Sequence, residues 1–131
     1  MTFPAIDIST KKWNYEDILE YIIYDEYIYT NKESVFLKYY KNRLFCDGKG
    51  KIYKAIRKAE MTENWRNWLR FIPNVWKTKI IFQYTNEEMD LELLRNYLLD
   101  RISDLEKDDF TREWKNDVKK AKSHSEIIND R

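Results

Sequence analysis

Glycine and proline are almost missing from this chain, with two of each among 131 residues. These residue types mark loops and flexible or stiff linkers. Their scarcity argues against long linkers and for a single domain over 1–131, with loosely ordered ends expected at 1–12 and 124–131. Cysteine occurs once, as Cys46. An intramolecular disulfide and a multi-cysteine zinc site are both excluded. Histidine also occurs once, as His124 in Ser123-His124-Ser125. A catalytic base must be anchored and oriented by a third group. Near the C-terminus a solvated tail histidine is expected instead. No uninterrupted apolar run approaches the roughly 18–20 residues that a membrane span needs. Met1-Thr2-Phe3-Pro4-Ala5-Ile6-Asp7 lacks the basic start and apolar run of a secretory signal. The expectation is a soluble, cytoplasmic protein with no membrane contact, no metal and no cofactor.

What the chain does have is aromatic side chains and segregated charge. Five Trp, ten Tyr and six Phe accompany a charged fraction of 36%. Each aromatic buries on the order of 150–250 Å², so a dense aromatic core under a well-solvated surface is expected. The formal net charge is only +1. Residues 32–79 nevertheless carry 13 Lys or Arg against four acids, a balance of +9. Residues 1–31 and residues 80–131 each balance at −4. Segregated charge creates a directional field even when the sum is near zero.

Periodicity places the elements. Asn14 is a candidate cap for a helix from Tyr15, with Ile18, Leu19, Ile22 and Ile23 on one face. Tyr24 to Tyr29 extends that helix or starts a strand. Val35, Phe36, Tyr39 and Tyr40 have helical spacing. Leu44-Phe45-Cys46 precedes Asp47-Gly48-Lys49-Gly50, a turn that leads into alternation from Ile52 to Ala59. Trp65, Trp68, Leu69 and Ile72 make the apolar stripe of a short helix. A further strand runs from about Val75 to Tyr84. Thr85-Asn86-Glu87-Glu88 reads as a capping box for a helix carrying Met89, Leu93, Leu94, Tyr97, Leu98, Ile102 and Leu105. Asp108 caps a last helix bearing Phe110, Trp114, Val118 and Ala121. The expected fold class is α+β: a small three-stranded antiparallel sheet (about 43–47, 51–59 and 75–84) with N-terminal and C-terminal helices packed on one face.

Several chemistries fit poorly. Gly48-Lys49-Gly50 is too short for a phosphate-binding loop, and Lys51 stands where Ser or Thr is needed. Cys46 lies in an apolar strand, where free cysteine acts mostly as a small hydrophobe. The acid pairs, such as Asp25/Glu26 and Asp108/Asp109, fall at caps and solvated faces. No catalytic residue is therefore assigned.

Two binding candidates remain. Trp65, Arg66, Trp68 and Arg70, with Lys77 and Lys79, combine aromatic faces with cations. That pairing suits a protein interface or the bases and phosphates of a nucleic acid. The bland reading is that the Trp close a core and the cations face water. The second candidate is the acidic tract Tyr15–Tyr29, with Tyr21, Tyr24, Asp25 and Glu26 as a surface for a basic partner. Its bland reading is pairing of those acids with the basic centre of the same chain. The leading expectation is a non-enzymatic protein-binding domain, such as a small inhibitor or immunity-type protein. A nucleic-acid-associated module is the alternative, and an enzyme ranks last.

Overall fold

The computed structural model describes residues 1–14, 20–28, 33–59, 78–105 and 108–129. In chain order the described elements are β1 (Ala5–Asp7), β2 (Ile22–Ile23), β3 (Tyr27–Ile28), α1 (Glu33–Tyr39), β4 (Leu44–Cys46), β5 (Lys51–Lys58), β6 (Thr78–Glu88), α2 (Leu91–Leu105), α3 (Asp109–Lys120) and α4 (His124–Asn129).

The β4–β5 hairpin forms where expected. Gly50 takes φ +84° at the turn, a conformation that costs glycine little. The buried Asp47 carboxylate fastens the turn by accepting from the backbone N–H groups of Lys49 and Lys51, each at 2.9 Å. Strand β6 pairs with β5, as in the expected third strand. Three more strands join them. The sheet is six-stranded and antiparallel, in the order β2-β1-β4-β5-β6-β3. The expected three-stranded sheet is thus corrected. The added strands are two or three residues long, too short to display period-two alternation. Ile22 and Ile23, assigned by spacing to a helix face, are strand residues, in keeping with the fit of β-branched side chains to a pleated surface.

The sheet must curl. Its edge strands β2 and β3 are joined by Tyr24, Asp25 and Glu26 alone. Four Cα steps reach at most about 15 Å. Six flat strands at about 4.8 Å spacing would put the edges about 24 Å apart. Closing that difference bends the sheet into a half-barrel.

Each face of the curled sheet has its own core. On one, all six strands contribute: Ala5, Ile23, Ile28, Phe45, Ala55 and Ile80, with Phe36 and Tyr40 from α1 and the turn after it. On the other, Ile6, Ile22, Cys46 and Ile52 pack with Leu94, Leu98, Ile102 and Leu105 of α2 and Trp114 and Val118 of α3. Helices therefore cover both faces, not one as expected. Trp13 extends this second core, stacked on Tyr21 at 4.8 Å and on Trp114 at 5.9 Å.

Helix α2 buries Leu94, Leu98, Ile102 and Leu105 of the apolar face expected of it, whereas Leu93 of that face is exposed, and its cap differs. Thr85 to Glu88 continue β6, and the N-terminal N–H of Leu93 is accepted by Asp90 Oδ1 at 2.7 Å. Asp108 caps α3 as expected, accepting from Thr111 N at 3.0 Å. For the loose ends expected over 1–12 and 124–131, the structure gives β1 and α4, with Ala5, Ile6, Ile127 and Ile128 fully buried.

Candidate functional site

The acidic tract becomes the link between the two sheet edges. Tyr24 lies there half-exposed, at 50%. Asp25 Oδ1 accepts from the N–H of Tyr27 at 3.0 Å, a short-range carboxylate turn that sets the chain's entry into β3. The Glu26 carbonyl accepts from Ile80 N at 2.7 Å. The Glu26 carboxylate lies 3.5 Å from the Lys79 ammonium. Backbone pairing on either side thus holds a bridge that presents Tyr24 outward. Exposed Glu20 precedes it.

Tyr21 does not belong to that surface. It is 5% exposed, and its hydroxyl accepts from Asn14 N at 3.1 Å. Of the basic candidates, Lys79 is exposed on β6, while Trp65, Arg66, Trp68, Arg70 and Lys77 lie outside the described residues. Arg57 is also exposed. The ladder sets Arg57 opposite Ile81, and Ala59 N donates to Lys79 O. Arg57 and Lys79 are therefore diagonal neighbours two ladder positions apart.

The residues read as chemically weak have structural places. Cys46 is fully buried. Burial, and then the charge of Asp47, push its thiol up to about 12, far from the thiolate a nucleophile requires. His124 lies with Nε2 2.6 Å from the Met89 carbonyl, and Ser125 Oγ donates to Gly48 O at 3.0 Å. The Ser-His-Ser segment thus docks against the hairpin turn, where a solvated tail was the expectation. Among the described residues no group of three or more His, Cys, Asp or Glu is arranged to hold a metal ion. None of the described helices is long and apolar enough to cross a membrane.

A second polar centre lies at the end of β1. Asp7 Oδ1 accepts from Ser9 N at 2.7 Å, Ser9 Oγ at 2.9 Å and Thr10 N at 3.1 Å, and Oδ2 accepts from Thr10 Oγ1 at 2.6 Å. Arg43 Nη1 donates to Thr10 Oγ1 at 2.5 Å and Nη2 to the Lys38 carbonyl at 3.1 Å. The Thr10 carbonyl accepts from Tyr97 OH and Arg101 Nε. Thr10 so ties β1, α2 and the turn after α1 together. Sequence reasoning passed over this centre. Its readable signal is the Asp-x-Ser-Thr spacing, an Asp whose side chain can bond the backbone two and three residues on.

A comparison of the chain with protein-family models, with curated proteins and with solved structures finds no match.

Proposed function

We propose that this chain is a non-enzymatic protein-binding domain of the small-inhibitor or immunity type, and that the Tyr24–Asp25–Glu26 bridge faces its partner. The observation that carries the reading is the half-exposed Tyr24 on a link anchored by strands at both ends. A tyrosine already held in place loses little conformational freedom on binding, and tyrosine is among the residues that dominate interface energetics. The carboxylates of Glu20, Asp25 and Glu26 around it favour a partner with a basic surface, through faster encounter and charge complementarity.

The test places a photo-crosslinking amino acid at position 24 in the full chain and, as a control, at Leu93, which is 55% exposed on α2. The expected result is a partner crosslinked from position 24 and not from 93. Tyr24→Ala or Glu20→Lys should weaken that complex without lowering the chain's melting temperature. Equal crosslinking from both positions, or no partner crosslinked from position 24, would reject the reading.

A second reading, a nucleic-acid-associated module, is favoured by the diagonal placement of exposed Arg57 and Lys79. It predicts retention on DNA or RNA that falls steeply with salt, because phosphate neutralisation releases counterions. Retention that does not respond to salt, or none at all, removes it.

A further inference from the structure

Strand β6 has an open edge beyond the end of β3. The register on its β5 side fixes which residues turn outward. Ala55 bonds toward β4, donating to Arg43 O at 3.1 Å and accepting from Asn42 N at 2.8 Å. Its neighbour Lys54 therefore bonds toward β6, where it lies opposite Gln83. Phe82 and Tyr84, on either side of Gln83, then point their N–H and C=O groups away from β5. Ile80 does the same, and Glu26 O takes its N–H at 2.7 Å. Strand β3 itself reaches only Thr78 and Lys79. Among the described residues, no backbone group bonds to the outward groups of Phe82 and Tyr84.

We propose that this edge pairs with the same edge of a second copy of the chain. The two β6 strands run antiparallel, with a twofold axis between the two Gln83 residues. The second copy is a different partner from the basic one inferred above, and its test needs no other protein.

Register is the first support. With Gln83 opposite Gln83 of the other copy, Phe82 of each copy meets Tyr84 of the other. Both residues turn their backbone groups outward, so each pair can exchange two N–H···O bonds. The same pairs set aromatic side chains directly across the ladder, a favourable cross-strand combination. A twofold contact requires this self-complementarity.

The ends of the open stretch are the second. In this register Ile80 meets Asn86 of the other copy. The Ile80 N–H is already taken, and Asn86, at φ +65°, has left the extended conformation. The position that cannot accept a partner is thus met by one that offers none. A departure at Asn86 is also what each strand needs on reaching the other copy's β3.

Composition is the third. Open edges are usually guarded by charged side chains or proline. Ile80 to Thr85 contains no charged residue, proline or glycine, so nothing in its composition opposes a second strand. The charges flanking it are opposite in sign, Lys79 before it and Glu87 and Glu88 after it. Antiparallel pairing brings the cationic flank of each copy to the acidic flank of the other.

The test uses the full chain carrying Gln83→Cys. Gln83 is exposed. Opposed residues of a non-hydrogen-bonded antiparallel pair lie about 4.5 Å apart at Cα, within disulfide range. Cys46 is fully buried, so the introduced thiol is the one that reacts. In a glutathione redox buffer this variant should become a disulfide-linked dimer. Lys54→Cys, exposed one strand further in, is the control. Its two copies would lie about three strand spacings apart, about 14 Å, and should stay unlinked. By analytical ultracentrifugation the parent should dimerise as concentration rises. Gln83→Lys and Gln83→Glu should each raise the dimer Kd about fivefold, the scale of like charges directly opposed. An equimolar mixture of those two variants should recover the dimer. The proposal is overturned by equal crosslinking of the two cysteine variants, or by a parent that stays monomeric up to about 1 mM. Dimerisation of the Gln83 charge variants at the parent Kd would overturn it equally.

Discussion

Glu26 on the inter-edge bridge and Lys79 on β6 form an ion pair at 3.5 Å, joining the acidic N-terminal tract to the basic centre of the chain. The pair is 39% and 48% exposed at its two side chains. Exposed pairs contribute little, about 0–1 kcal/mol. Closure of the half-barrel at β3 must rest mainly on Ile28, 5% exposed within the core shared by all six strands. Glu26→Gln is expected to lower unfolding free energy by less than about 1 kcal/mol. Ile28→Ala is expected to lower it by about 2–5 kcal/mol through lost burial and a residual cavity. Urea titration of both variants checks this, and a larger loss for Glu26→Gln would mean that charge, not burial, closes the sheet.

The two glycines of the hairpin differ in what they would meet. A Cβ on Gly50 would lie 2.6 Å from His124 Nε2 and 2.8 Å from the Met89 carbonyl, at φ +84°. The backbone conformation alone costs a substituted residue about 1–2 kcal/mol, and the carbonyl cannot rotate away. At Gly48 the closest atom is Ser125 Oγ at 2.7 Å, the end of a rotatable side chain. Gly50→Ala should therefore destabilise well beyond Gly48→Ala, whose loss should stay near the about 0.5–1.5 kcal/mol of one hydrogen bond. Adding His124→Ala should restore part of the Gly50→Ala loss, and a purely additive double mutant would deny the contact.

Arg95 on α2 closes the C-terminus of α3. Nη1 donates to the carbonyls of Val118 at 2.6 Å and Lys119 at 3.0 Å, and Nη2 to that of Ala121 at 2.7 Å. These are helix-end carbonyls without intrahelical donors. Glu92 steadies the guanidinium from the other side at 3.2 Å. Arg95→Met, which keeps most of the apolar stem, should cost about 1.5–3 kcal/mol. Arg95→Lys should recover only part of it, because an ammonium lacks the planar fork. Thermal melts of the two variants decide, and full rescue by Lys would show that charge alone matters.

The sequence makes α2 legible because Leu94, Leu98, Ile102 and Leu105 repeat at helical spacing over about three turns. The hairpin is legible because Asp47 to Gly50 is turn chemistry between apolar runs. Thr85 to Glu88 misleads. The same Thr-x-x-Glu pattern serves here as an irregularity in β6, where the pairing jumps from Ile52–Glu87 to Tyr53–Tyr84. Asn86 takes φ +65°, and Thr85 Oγ1 donates to Ile52 O at 2.8 Å. A capping box and a strand irregularity both reward a hydroxyl that bonds backbone, so composition alone does not separate them. Strands β2 and β3 are illegible for another reason: two residues carry no period, and only the long-range pairing with β1 and β6 defines them. Of the acidic candidate surface, the Glu26–Lys79 attraction is readable in the segregated charge. The burial of Tyr21 is not, since tyrosine suits a wet surface and a half-polar core equally. The Trp65–Arg70 candidates lie outside the described residues.

Two tyrosines tie stability to alkaline pH. Burial pushes the Tyr40 hydroxyl up to about 12, with the charges of Glu20 and Asp25 adding to it. Burial raises Tyr97 to about 12 as well, against an opposing effect of Arg101. In the unfolded chain both titrate near 10. Between about pH 10 and 12 the unfolded state has released protons that the folded state still holds. Stability is therefore undiminished by these groups below about pH 10 and falls as pH rises toward 12. Urea midpoints at pH 9, 10 and 11 should decline, with a shallower slope for Tyr97→Phe. Phenolate absorbance should show two tyrosines appearing together with unfolding. A midpoint unchanged through pH 11 would contradict this.

Cys46 reports the opening of the sheet. It is fully buried between β1 and β5, and its thiol is held up to about 12 by burial and by Asp47. Thiol reagents attack the thiolate, so the native chain at pH 8 presents neither access nor the reactive form. Modification by a disulfide reagent should be slow and should proceed only through opening. When reclosing outpaces modification, the rate follows the equilibrium population of the open form. The Ile28→Ala and Gly50→Ala variants should then react faster in proportion to their loss of stability, about tenfold per 1.4 kcal/mol. Reaction of both variants at the parent rate would show instead that Cys46 opens by a local event on the β2–β1 side of the sheet. Fast modification of the parent chain without denaturant would refute the buried placement of the thiol.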